Sequence, residues 1–115
     1  MASAGNSANS LTLFSGLAED VYDIGFLQNA SSNASSSNMK CGIGYNSTSA
    51  ASGTAGTAFG AVSSATLLME ASAKYWAPPA LGINVITSLE QTPAAASITF
   101  NGTEANMLLF AEWRA

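Results

Sequence analysis

Histidine is absent from this chain, and most other residue types that carry chemistry are scarce. Its 115 residues hold one cysteine, three basic residues and seven acidic ones. Charged residues make up 9% of the total, against about 25% in an ordinary soluble domain. Without histidine, no side chain titrates near neutral pH unless its environment shifts it. A serine or cysteine nucleophile then has no imidazole to activate it. The single Cys41 rules out an intrachain disulfide framework. Lys40, Lys74 and Arg114 are far apart in sequence, and the net charge is -4 with a pI near 4.3. Binding to a phosphate backbone needs clustered Lys and Arg, so nucleic acid is excluded as a partner. No run approaches the ~20 apolar residues that span a bilayer. The first ten residues show neither the basic segment nor the apolar run of a signal peptide. These absences point to a non-enzymatic chain without cofactor or metal.

Hydrophobic residues nevertheless reach 48%, and the polar remainder is mostly Ser, Thr, Asn and Gly. The length fits one domain with one core. A surface so poor in charge has little electrostatic reason to stay monomeric, which predicts that part of it is covered by copies of the chain or by a larger assembly. Four Asn-x-Ser/Thr sequons, at Asn29, Asn33, Asn46 and Asn101, follow from the Ser- and Asn-rich composition.

Residues 1–10 have no apolar side chain larger than alanine after Met1 and read as a flexible N-terminal arm, with a single domain over residues 11–115. Leu11 and Leu13 alternate in a first strand. Over residues 20–29, Tyr22, Ile24 and Phe26 fall on one side and Val21, Asp23 and Gly25 on the other. Residues 30–38 and 46–57 are polar and read as exposed loops. The strand between them, residues 39–45, carries two glycines that predict a bulge or a close backbone approach. Residues 58–62 begin a further strand. Residues 64–76 are ambiguous: their propensities favour helix, while Leu67, Met69, Ala71, Ala73 and Tyr75 also fit period two. Residues 83–89 alternate again. Residues 98–100, the pair Asn101-Gly102 and residues 107–113 predict a hairpin. In its second arm Met107, Leu109, Ala111 and Trp113 share one face and Leu108 and Phe110 the other, the pattern of a strand buried on both sides. The total is about seven to eight short strands, an all-β, jelly-roll-like antiparallel β-sandwich.

The last third carries the most specific pattern: Pro78-Pro79-Ala80-Leu81-Gly82-Ile83-Asn84, then Ser88-Leu89-Glu90, Ile98 to Gly102, and a final apolar strand ending in Trp113-Arg114-Ala115. Earlier, Gly42-Ile43-Gly44-Tyr45-Asn46-Ser47 precedes a Ser/Ala/Gly loop. Over residues 20–115 this resembles the C-terminal β-sandwich domains of bacteriophage tail fibres and other virion-surface proteins. The resemblance implies a jelly-roll-like sandwich, a homotrimer on the virion exterior, and a strand rather than a helix over residues 64–75. It implies copies of itself and other virion proteins as partners, with a host-surface glycan as a further one. Tail fibres carry such a domain behind a shaft. This chain begins at Met1 with a short arm, as an excised domain or a small capsid decoration protein would.

Candidate binding residues follow from residue type. Tyr45, Tyr75 and Trp76 offer flat rings to sugars, and Trp76, just before two prolines, is the best placed to be exposed. Leu108, Phe110, Trp113 and Arg114 are candidates for the subunit interface, with Arg114 pairing a neighbour's Glu90 or Glu112. Glu19, Asp20 and Asp23 form the only acidic cluster but lack calcium-loop spacing. Cys41 reads as a small buried hydrophobe. The expected function is a trimeric, non-enzymatic virion-surface protein for host attachment or capsid decoration. The alternative is a monomeric carbohydrate-binding module built on Trp76.

Overall fold

The computed structural model describes residues 4–16, 21–32, 37–60, 67–78, 80–91, 98–103 and 105–113. Among them there are only strands and irregular segments. The strands are β1 (Ala4–Ser15), β2 (Tyr22–Ser32), β3 (Ser37–Tyr45), β4 (Ser52–Gly60), β5 (Leu67–Ala77), β6 (Gly82–Gln91), β7 (Ile98–Phe100) and β8 (Met107–Glu112). Strands β1, β6, β3 and β4 form one antiparallel sheet in that order. In the second, β5 pairs one side of β2 while β7 and β8 both pair the other. Among the described residues one pairing, Thr54 with Lys74, joins β4 to β5, so the sandwich is closed on that side and open between β1 and β8. The fold is the expected antiparallel β-sandwich.

Alternation explains the core. Tyr22, Ile24, Phe26 and Ala30 of β2 point inward with Met69, Ala71 and Ala73 of β5. They meet Met39, Cys41 and Ile43 of β3 and Ile86 of β6. Leu11, Leu13, Met107, Leu109 and Ala111 close the open side. Burying one such aliphatic or aromatic side chain stabilises the fold by about 1.5–3 kcal/mol. Within the ambiguous stretch, residues 67–76 are a strand, as the resemblance implied, and residues 64–66 lie outside the described residues: helix propensity yields to an apolar face that only period two can align with Phe26 and Ile24.

Four expectations are corrected. Residues 4–10 are not an arm, because β1 starts at Ala4 and pairs Ala4, Gly5 and Asn6 with Glu90, Leu89 and Ser88 before a register shift. Backbone pairing holds a segment whose only apolar side chains are alanines. Residues 52–57 belong to β4, and 30–32 to β2, rather than to loops. Residues 98–113 are not a hairpin: β7 and β8 lie one after the other along the same edge of β2, against residues 30–32 and 23–28 respectively. Positive φ occurs among the described residues at Asn46, Gly53 and Gly82, and not at Asn101 or Gly102, so the Asn-Gly pair does not make the tight reversal. The backbone of Asn29 instead bridges the gap, its N–H donating to the Asn106 carbonyl (2.8 Å) and its carbonyl accepting from Asn101 N–H (3.0 Å). Finally, β8 is not buried on both sides. Its inner face packs on the core, while Leu108 is 53% exposed.

Candidate functional site

The register places a set of side chains on the outer face of the second sheet. Across it, Trp76, Asp23 and Glu112 form one row, Lys74, Gly25 and Phe110 the next, and Ser72, Leu27 and Leu108 a third. Trp76 is 61% exposed, and Lys74 Nζ stands 5.9 Å from its ring centroid, within cation–π range. Gly25 leaves the room that Phe110 occupies: a Cβ there would strike the Phe110 ring. The ring thus covers Gly25 and, with Leu27 and Leu108, forms an apolar strip with Glu112, Asp23 and Lys74 at one end. Asp23 faces Glu112 directly, and its Oδ1 is buried without a hydrogen bond. Two carboxylates at opposed positions repel, so this end of the face favours a positive partner.

The expected residues therefore separate. Leu108 and Phe110 share the outer face with Trp76. Tyr45 and Tyr75 point between the sheets, with ring centroids 5.9 Å apart, and do not join Trp76 in one aromatic platform. Trp113, at the end of β8, stacks edge-on against the buried Tyr22 ring, centroids 5.9 Å apart and planes at 83°. Arg114, Glu19, Asp20 and Asn33 lie outside the described residues. Leu27 and the partnership of Gly25 with Phe110 were not legible in the sequence, because both depend on how β8 registers against β2.

Tyr45 has an architectural task. Its hydroxyl donates to Oδ1 of the fully buried Asn84 (2.5 Å) and accepts from Ala80 N–H (3.2 Å). Asn84 Nδ2 donates to the Ala80 carbonyl (2.8 Å). Asn46, at φ 52°, takes Val85 N–H on its Oδ1 (2.8 Å) and donates its own N–H to the Val85 carbonyl (2.7 Å). The two motif stretches, around residues 42–47 and 78–84, thus meet at one corner. Residues 46–51 then fold back over β3: a Cβ on Gly44 would strike the Ser47 carbonyl, and one on Gly42 would crowd Ala51 at 3.2 Å. The two glycines make the close backbone approach that their spacing predicts, and β3 also shifts register against β4 between Cys41 and Ile43.

Cys41 is buried, and burial pushes its thiol up to about 11, with the neighbouring Glu90 charge acting in the same direction. Burial also raises the Glu90 carboxyl above its ordinary value. A thiol held in its neutral form is a packing group. No group of three or more His, Cys, Asp or Glu side chains among the described residues is placed to hold a metal ion. No family model, curated protein or solved structure matches the chain.

Proposed function

We propose that this chain is a self-associating structural module of a bacteriophage virion surface. In this reading it assembles as a homotrimer on the particle exterior, where it serves host attachment or capsid decoration. The observation that carries it is β8. Its sequence is apolar on both faces, yet this chain covers only one of them. Leu108 and half-buried Phe110, with Leu27 and exposed Trp76 beside them, form a surface of the kind that another subunit buries. A second apolar pair favours the same reading. Phe14 and Ile83 are opposed on β1 and β6, 78% and 69% exposed, with Leu81 next to them. The edge strand β1 has neither charge nor proline over twelve residues, and such an edge invites pairing with another chain. The virion setting comes from the motif resemblance, supported by the way its two main stretches lock into one corner through Tyr45, Asn46 and Asn84.

Light scattering coupled to size-exclusion chromatography tests the assembly. A trimer mass is the expected result, and a monomer that persists at high concentration overturns it. Co-sedimentation with purified capsids then distinguishes decoration from attachment.

A further inference from the structure

Where β7 gives way to β8, the gap in the ladder opens a small depression on the outer face, about 190 Å³, lined by Asn29, Asn101, Asn106, Glu70, Leu68 and Met69. Its polar groups are poorly used by the chain. Asn29 Nδ2 makes one long hydrogen bond, 3.5 Å, to Asn106 Oδ1, and Asn29 Oδ1 accepts none although it is buried. At that length the bond is weak, so turning the Asn29 amide toward a ligand costs little. An unpaired buried acceptor is also a reason to bind a donor. Asn106 is held in place, its Nδ2 donating to Thr103 Oγ1 (2.6 Å) and its N–H to the Thr103 carbonyl (2.8 Å). From inside, Gln28 Nε2 donates to the carbonyls of Asn29 (2.7 Å) and Asn101 (3.1 Å), which ties the end of β7 to β2 beside the depression. Glu70 pairs with Asn29 across the strands and is exposed.

We propose that this depression is a binding site for a neutral saccharide. Side-chain amides place a donor and an acceptor side by side, and one carboxylate adds a strong acceptor. Adjacent sugar hydroxyls offer the matching pair, each able to donate and accept. Leu68, 75% exposed at the rim, supplies an apolar contact for a sugar's C–H face. Among the described residues the depression has one carboxylate, a poor start for calcium, which takes about six to eight oxygen ligands and gains from several charges. Along the same outer row of β5, Trp76 stands six residues from Glu70, roughly 20 Å away, so a longer glycan can leave the depression toward an exposed ring. The site deepens the attachment form of the proposed function. It is tested on the protein alone, so its failure leaves the assembly measurement standing.

The test is a titration of the ¹⁵N-labelled full chain with glucose, galactose and N-acetylglucosamine in turn, and separately with calcium chloride. At least one sugar is expected to shift the side-chain amide signals of Asn29, Asn101 and Asn106 in a saturable way. Glu70→Ala, a change at an exposed position that leaves the fold intact, is expected to weaken that binding about tenfold or more. Thr12→Ala, at an exposed position of β1 on the other sheet, is expected to leave it unchanged. The proposal is overturned if no sugar moves these signals, if only calcium does, or if Glu70→Ala binds as the parent does.

Discussion

Tyr45 and Asn84 show how a polar side chain is admitted to the interior of a sandwich. Asn84 has no exposed surface, yet its amide accepts from Tyr45 and Asn46 and donates to the carbonyls of Ala80 and Gly82. Removing one partner leaves others under-satisfied in a dry site, which costs about 1–3 kcal/mol. Tyr45→Phe is therefore expected to lower the unfolding free energy by about that amount in urea, with an unchanged denaturant slope. Cys41 makes a second prediction at this scale. Burial holds its thiol up to about 11 against an ordinary 9.0, so the folded state binds this proton more tightly than the unfolded chain does. The stabilisation is fully present below pH 9.0 and is lost as the pH rises toward about 11. At the high end the loss is about 3 kcal/mol. Urea unfolding at stepped alkaline pH should show this slope in the parent and a shallower one in Cys41→Ala.

Strand β1 is the element whose behaviour differs most from its sequence. Small polar residues before Leu11 offer no hydrophobic gain, and composition alone makes them an arm. The backbone groups of Ala4, Gly5 and Asn6 nevertheless find partners on β6, whose free edge would otherwise stay unpaired at residues 88–90. Deleting residues 1–6 removes that pairing and leaves the core untouched. The truncated chain is expected to fold with a lower Tm, and amide exchange should quicken at those of residues 88–90 whose N–H faces β1 rather than β3. An unchanged Tm would show that these pairings contribute nothing. The division of the last strand into β7 and β8 follows similar logic. The turn chemistry of Asn101-Gly102 is outweighed because Ile98, Phe100, Met107 and Leu109 all reach the core only when both pieces lie along β2.

At the scale of the molecule, one sheet of the sandwich carries an apolar strip on its outer face, and the edge strand of the other carries no charge. With seven acidic residues against three basic ones, copies of the chain repel weakly, so the proposed association rests on apolar contact. Leu108→Asp places a charge in the middle of the strip without touching the core, since Leu108 points outward opposite Leu27. It is expected to return the assembly to monomers with an unchanged circular-dichroism spectrum. Trp113→Ala should act differently. It loses the edge-to-face contact with Tyr22, worth about 0.5–1.5 kcal/mol beyond the buried area, and so lowers stability as well as any contact made between subunits.

Period-two alternation made β2, β3, β6 and the inner faces of β1 and β8 legible in the sequence, because each strand has one face that must be dry and the pleat allows no other spacing. The all-β class, the close approach at Gly42 and Gly44, and the burial of Cys41 come from the same local rules. Pairing partners are another matter. That β8 follows β7 along β2, that Phe110 lies over Gly25, that Tyr45 reaches Asn84, and that Asn29, Glu70, Asn101 and Asn106 surround one depression all depend on register between distant segments. Register is set by the joint burial of every inward face at once. No single stretch contains that information, so these features exist only in the folded molecule.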